Sequence, residues 1–187
     1  MRLSRPLPEV HPELLIIETP GLGREYRVEN RPLSCSQRGR VANRFPWITG
    51  FDACAVVLVG LLWTSVRNAF LTIGTGIGLV LLVYQKATRV LWESVLVLPS
   101  YGIQLETHRG LPSLPLFVSR KFIPLSEVKD VLINEGLRRW DVRYYLTVLY
   151  CPQQAEQRLE VAYENILPRF PVLTEVYNGI HECLHSK

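Results

Sequence analysis

Cysteine and histidine are scarce in this chain, and their spacing does not match common metal or thiol sites. No pair of cysteines has the separation of a metal or redox motif; they stand at Cys35, Cys54, Cys151 and Cys183. His181 and His185 are one helical turn apart and could present two imidazoles to a metal, but nothing in the sequence supplies a third ligand. We therefore expect free thiols, no metal and no cofactor.

Catalytic motifs are missing as well. The chain has no nucleophile elbow, P-loop or acidic metal motif, and its carboxylates at 127–135 form no recognisable acid–base pair. The segment GTGIG at 74–78 has glycines like a phosphate loop, but it lies inside an apolar run and does not follow a strand. We instead expect Gly74 and Gly78 to form a face for helix packing in a membrane. The sequence offers no catalytic residues.

No signal sequence is expected, because the apolar patch at 14–17 is too short for a signal core. Two long apolar runs are present, at 47–66 and 69–84, and only Arg67 and Asn68 separate them. A 20-residue helix rises about 30 Å, which is the thickness of a bilayer's hydrocarbon core. The two runs therefore predict a transmembrane helical hairpin at 46–85.

Positive charge is concentrated around these runs. The net charge is +4, and the basic residues beside the runs are Arg24, Arg27, Arg31, Arg38, Arg40, Arg44, Lys86 and Arg89. Because such residues favour the cytoplasmic side, both termini are predicted to be cytosolic. The arm at 1–45 is rich in proline, glycine and arginine, and we expect most of it to be irregular. It is a solvated basic segment, a contact for anionic lipid, or both, and it has no nucleic-acid-binding motif. Asp52 lies near the cytosolic end of the first span, within reach of headgroup water.

The remainder, 90–187, has the composition of short strands followed by a helix. Strand patterns lie at 94–98, 102–107, 117–123, 128–133, 142–150 and 159–163, and 25–29 could supply a seventh. An apolar stripe from Phe170 to Leu184 predicts a terminal helix. We expect residues 134–136 to form a turn that ends the strand at 128–133. The predicted fold class is an α+β membrane protein: a two-helix transmembrane hairpin plus an antiparallel β domain with a C-terminal helix.

Several motifs of this β-rich region resemble a known family. FIPLSEVKDVLINE at 122–135, with YYL at 144–146, resembles the PIG-H family, the H component of the phosphatidylinositol N-acetylglucosaminyltransferase complex. ESVLVL at 93–98, YGIQ at 101–104, PRF at 168–170 and EVY at 175–177 resemble it too. The order of basic arm, membrane hairpin, β domain and helix also matches that family.

The resemblance implies a non-catalytic accessory subunit with a pleckstrin-homology-like domain. Its complex transfers N-acetylglucosamine from UDP-N-acetylglucosamine to phosphatidylinositol, the first step of glycosylphosphatidylinositol (GPI) anchor synthesis, at the endoplasmic reticulum membrane. The expected partners are the catalytic glycosyltransferase component of that complex, its other membrane components and the bilayer. The residues proposed to contact partners are Lys129, Asn134, Glu135, Tyr144 and Tyr177.

Two other functions stay open at this point. A membrane-anchored pleckstrin-homology-like module could bind inositol lipid headgroups; its candidate residues are Arg120, Lys121, Arg138 and Arg139. Alternatively, the chain could be an enzyme in its own right, which sugar transfer by the purified chain alone would establish.

Overall fold

A computed structural model describes residues 2–7, 9–30, 60, 69–111, 114–138, 140–152 and 156–185. The elements in these ranges are β1 (Arg2–Ser4), β2 (Leu14–Thr19), β3 (Gly23–Glu29), α1 (Ala69–Ala87), β4 (Val90–Leu98), β5 (Gly102–Leu111), β6 (Leu114–Pro124), β7 (Val128–Arg138), β8 (Asp141–Tyr150), β9 (Arg158–Ala162) and α2 (Phe170–His185).

The strands form two sheets in which chain neighbours are also sheet neighbours. One sheet has the order β1-β2-β3-β4-β5-β6, and the other has the order β7-β8-β9. The pairs β1–β2, β2–β3 and β3–β4 are antiparallel, as are β7–β8 and β8–β9. Short turns can join antiparallel neighbours, as between β2 and β3 and between β7 and β8. The neighbours β3 and β4 are instead joined by residues 30–89, which include α1.

Packing divides the chain into two compact units. The first contains Met1–Asn30, Val90–His108 and Val118–Lys187; the second contains Arg31–Arg89 and Arg109–Phe117. In the first unit, alternate residues of the strands enter one hydrophobic core, which includes Leu14, Tyr26, Val28, Val95, Val97, Ile103, Ile123, Val131, Leu146 and Val148. Residues of both sheets therefore share a single interior.

Helix α2 covers this core with the apolar stripe that the sequence predicts. Val172, Leu173, Val176 and Ile180 are fully buried, and their three- and four-residue spacing places them on one face of the helix. Gly179 lies against Tyr26, since a Cβ added to this glycine would stand 2.0 Å from the tyrosine hydroxyl oxygen. The helix can approach the sheet this closely only because residue 179 has no side chain.

The membrane predictions are contradicted. In the part of the chain that the structure describes, no helix combines the length and the apolar character needed to cross a bilayer. The run at 69–84 would rise only about 24 Å, and threonines and glycines at 72–78 dilute it. The predicted fold class with a two-helix transmembrane hairpin is therefore wrong, as is the multi-pass location in the endoplasmic reticulum membrane with both termini cytosolic. Apart from Gly60, the run at 47–66 lies outside the described residues, as do Asp52 and the arginines at 31–44.

The N-terminal segment is more ordered than its composition indicates. Residues 2–30, expected to be mostly irregular, contain β1, β2 and β3. The apolar patch at 14–17 lies in β2, where Leu14, Ile16 and Ile17 are buried. Residues 25–29 lie within β3, which pairs with both β2 and β4. These strands form because their apolar residues complete the core of the first unit.

Candidate functional site

The hairpin of β7 and β8 brings three of the predicted contact residues together. Asn134 lies opposite Tyr145, and Glu135 lies opposite Tyr144. The predicted turn at 134–136 is wrong, because β7 continues to Arg138. A Cβ added to Gly136 would stand 2.9 Å from the Tyr145 ring, so this glycine leaves room for an aromatic side chain on the paired strand.

One face of this hairpin begins in the core and continues beyond it. Side chains alternate between the two faces of a strand, so this face carries the pairs Val131–Val148, Ile133–Leu146, Glu135–Tyr144 and Leu137–Val142. Val131, Leu146 and Val148 belong to the core and Ile133 packs against it. By contrast, Leu137 is 84% exposed and Val142 is 50% exposed. Apolar side chains on the core face therefore continue into solvent at the outer end of the hairpin.

The outer end of the hairpin also contains two exposed aromatic residues. Trp140, in the turn, is fully exposed, and Phe170, the first residue of α2, is 49% exposed. The rings of Phe170 and Tyr144 are 4.8 Å apart and inclined at 53°. We name this surface the outer ladder; its residues are Glu135, Leu137, Trp140, Val142, Tyr144 and Phe170.

Of the predicted contact residues, Glu135 and Tyr144 belong to the outer ladder, whereas Asn134 is on the opposite face of β7. The other two, Lys129 and Tyr177, lie farther from it. Lys129 is exposed beside the irregular pairing at the start of β7, about 20 Å along the strand from Glu135. Tyr177 is seven residues further along α2 than Phe170, about 10 Å along the helix axis. Its ring is 4.3 Å from that of His181, and it packs partly against the core.

Asn134 has a structural contact that its motif does not reveal. Its side-chain amide donates a hydrogen bond to Thr147 Oγ1 over 3.3 Å. The Thr147 hydroxyl in turn donates to the Leu132 carbonyl oxygen over 3.2 Å. The Asn134 side chain is therefore tied to the neighbouring strand, which leaves Glu135 as the more available polar group of this motif.

Carboxylates already pair with two of the basic residues proposed for lipid headgroups. Arg120 Nε is 2.9 Å from Glu106 Oε1, and Lys121 Nζ hydrogen-bonds Glu160. Burial alone would raise the pKa of Glu106, but hydrogen bonds from His108, Gln104 and Arg120 outweigh it and keep that pKa below its usual value. Arg138 lies at the outer end of β7, and Arg139 lies outside the described residues.

A concavity of about 600 Å³ lies beside the hairpin turn. Its lining combines basic, acidic and apolar groups: Arg138, Trp140, Asp141, Arg143, Ile166 and Leu167. Arg143 Nη2 is 2.7 Å from Asp141 Oδ2, so this arginine is partly neutralised. The surface around Trp140 can therefore offer both apolar contact and hydrogen-bond donors.

Glu93 is a buried carboxylate that sequence reasoning treated only as part of a motif. It is 2% exposed and accepts hydrogen bonds from Asn165 N (3.2 Å), Asn165 Nδ2 (2.7 Å), Ile166 N (3.0 Å) and Thr107 Oγ1 (3.3 Å). This Glu93 clamp (Glu93, Thr107, Asn165 and Ile166) ties the turn after β9 to β4 and β5. A lone acid within the β-rich stretch at 90–98 is the signal that could have identified it.

The remaining predicted site residues are not brought into a site. Within the described ranges, no group of three or more histidine, cysteine or acidic residues is arranged to hold a metal. Gly74 and Gly78 lie in α1, and a Cβ added at Gly78 would meet no described atom within 4 Å. Their role in helix packing stays a prediction.

Comparison with known proteins supports the resemblance carried by these motifs. The family model described as "GPI-GlcNAc transferase complex, PIG-H component" matches residues 94–164. The matched segment runs from β4 to the turn after β9 and contains the whole β7–β8 hairpin. The predicted resemblance to the PIG-H family is therefore confirmed for this segment.

The curated relatives have consistent names. The gpi15 component of the phosphatidylinositol N-acetylglucosaminyltransferase of Schizosaccharomyces pombe is 36% identical over 85 residues, which are 46% of this chain and 49% of the relative. The H component of the same transferase is 32% identical in Mus musculus over 111 residues and in Homo sapiens over 112, in each case 57% of both chains. This chain thus matches only about half the length of these relatives. No solved structure matches it.

Proposed function

We propose that this chain is a non-catalytic accessory subunit of a complex that transfers N-acetylglucosamine from UDP-N-acetylglucosamine to phosphatidylinositol. The observation that carries the proposal is the match of residues 94–164 to the PIG-H component of the GPI-GlcNAc transferase complex. The names of the curated relatives agree with it, since each is a subunit of that transferase. The proposed role lies in GPI-anchor biosynthesis.

In this proposal, the chain contributes a docking surface and a separate glycosyltransferase subunit contributes the chemistry. The sequence motifs support this division, because none of them is typical of a nucleotide-sugar transferase. The structure supports a docking role, because β7 lies at the edge of its sheet and the outer ladder exposes large apolar side chains. Asn134, Glu135 and Tyr144 belong to this hairpin; Lys129 and Tyr177 would make secondary contacts.

Binding of inositol headgroups is the less supported function. Two of its four candidate residues, Arg120 and Lys121, are already bonded to Glu106 and Glu160. A phosphate group would have to displace these carboxylates and would meet their negative charge.

The proposal is tested by recovering the tagged full-length chain from cells in mild detergent. A glycosyltransferase subunit should be recovered with it, and the recovered complex should transfer N-acetylglucosamine from UDP-N-acetylglucosamine to phosphatidylinositol. The purified chain alone should not perform this transfer. Recovery of no glycosyltransferase would contradict the proposed assembly, and transfer by the chain alone would contradict the non-catalytic role.

A further inference from the structure

The outer ladder has the exposure expected of a surface that another molecule covers. Leu137 is 84% exposed and Trp140 is fully exposed, although Leu137 continues a row that is buried at Val131 and partly buried at Ile133. Exposed apolar surface of this kind is unfavourable in water and is typical of interaction sites. Tryptophan, tyrosine and arginine, which dominate the energetics of protein interfaces, all occur at this end of the hairpin.

The charges on this surface indicate what kind of molecule covers it. Glu135 lies in the apolar row between Ile133 and Leu137. Arg138 ends β7 at the rim of this surface, on the other face of the strand from Leu137, and Arg143 is already paired with Asp141. Within the described part of the chain, neither Glu135 nor Arg138 forms an ion pair. An occupant that covers the row and reaches its rim is complementary to it when it supplies apolar side chains, a cation against Glu135 and an anion near Arg138.

A polypeptide meets these requirements better than a lipid surface does. An anionic bilayer would attract the arginines, but it would bring its own negative charge against Glu135, which is costly in a desolvated contact. A protein segment can place a lysine or arginine at Glu135 and a carboxylate near Arg138 in the same contact. Charge complementarity therefore favours a polypeptide over an anionic lipid surface as the partner.

We infer that the outer ladder is the docking site for a segment of another subunit, one that carries apolar side chains, a basic group opposite Glu135 and an acidic group near Arg138. This inference rests on the proposed function and adds to it the surface and the chemistry of the contact. Trp140 and Leu137 supply the apolar anchors, with Val142, Tyr144 and Phe170 beside them. The match to the PIG-H component does not by itself identify such a surface.

The apolar contact is tested in the full-length chain by Trp140→Ala and Leu137→Ser. Each variant is compared with Leu22→Ser, which changes another exposed leucine in the turn between β2 and β3. Trp140→Ala should weaken retention of the partner subunits about 30-fold, the size of an interface hot spot. Leu22→Ser should retain them as the unmodified chain does. Thermal unfolding should be nearly unchanged in all three, because these side chains are exposed.

The charge requirement is tested by Glu135→Lys, with Glu135→Gln and the exposed Glu9→Lys as controls. Charge reversal at position 135 should lower partner retention by at least about tenfold, Glu135→Gln by less, and Glu9→Lys not measurably. A photo-crosslinking amino acid at position 137 should label a polypeptide of the complex, and the same group at position 22 should not.

These experiments distinguish failure of the docking site from failure of the proposed function. If the unmodified chain recovers its partners and the position 137, 140 and 135 variants do so equally well, the docking site is wrong and the proposed function stands. Crosslinking of position 137 to lipid instead of a polypeptide would also overturn the inference. If the unmodified chain recovers no partner subunit, the proposed function fails and the inference fails with it.

Discussion

The contribution of the Glu93 clamp to stability can be tested quantitatively, because it joins the two ends of the segment that matches the family model. The segment at 94–164 begins one residue after Glu93 and ends one residue before Asn165, and the Glu93 carboxylate joins these two ends. Replacing Glu93 by alanine removes the acceptor of four hydrogen-bonding groups, two of which are the backbone N–H groups of Asn165 and Ile166. We expect the turn after β9 to lose its fixed position.

The size of the effect follows from the groups left without a partner. An unsatisfied buried N–H costs about 1–3 kcal/mol, and removing the buried charge returns part of its desolvation free energy. We therefore expect Glu93→Ala to lower the free energy of unfolding by about 2–5 kcal/mol. Glu93→Gln keeps one acceptor oxygen but turns an NH₂ group toward donors, so its loss should be smaller, about 1–3 kcal/mol.

The assay is urea unfolding of the full chain, with Glu9→Ala as the control for an exposed acid. The control should change the free energy of unfolding by less than about 0.5 kcal/mol. Hydrogen exchange gives a second readout, because the amides of Asn165 and Ile166 should exchange faster in Glu93→Ala. A Glu93→Ala chain as stable as the control, with unchanged exchange at these two amides, would refute the reasoning.

Two further predictions concern the contact between α2 and the sheet. Gly179→Ala should lower the free energy of unfolding by about 1–3 kcal/mol, because the new Cβ would stand 2.0 Å from the Tyr26 hydroxyl oxygen. Gly76→Ala is the control: a Cβ at this position would meet no described atom within 4 Å, so this variant should not be destabilised in the same urea assay. Burial raises the pKa of Tyr26 to about 12, so the stability that the neutral phenol contributes is full below about pH 10 and is lost as the pH rises to about 12. Tyr26→Phe should lose less stability over that interval in alkaline urea titrations, and an equal loss in both proteins would contradict this assignment.

The β-rich region could be predicted because its local patterns are strong. Each of the six strand segments after residue 90 overlaps an observed strand, and the stripe from Phe170 to Leu184 marks α2. Alternation and helical spacing are local properties, so one sequence reveals them. The strand ends differ because pairing continues past local signals: β7 extends through residues 134–136, where Asn-Glu-Gly indicated a turn.

The N-terminal strands and the membrane hairpin were misjudged for opposite reasons. The patch at 14–17 is only four residues long, yet tertiary packing buries Leu14, Ile16 and Ile17. A Pro-Gly turn follows at 20–21, and this combination is a strand signal in its own right. The run at 69–84 is long, but its length and composition fall short of what a bilayer crossing requires. Apolar length alone does not establish where a segment is buried.

The outer ladder shows which property of the site no single sequence could reveal. Val131, Ile133 and Leu137 occupy equivalent positions in the alternation of β7, so their pattern predicts the same burial for all three. The structure separates them: Val131 is buried, Ile133 packs partly against the core, and Leu137 is exposed at the outer end of the hairpin. A side chain on the core-facing side of a strand is available for docking where the protein's own core does not extend far enough to cover it. That difference depends on tertiary packing, and so does the surface that we assign to a partner.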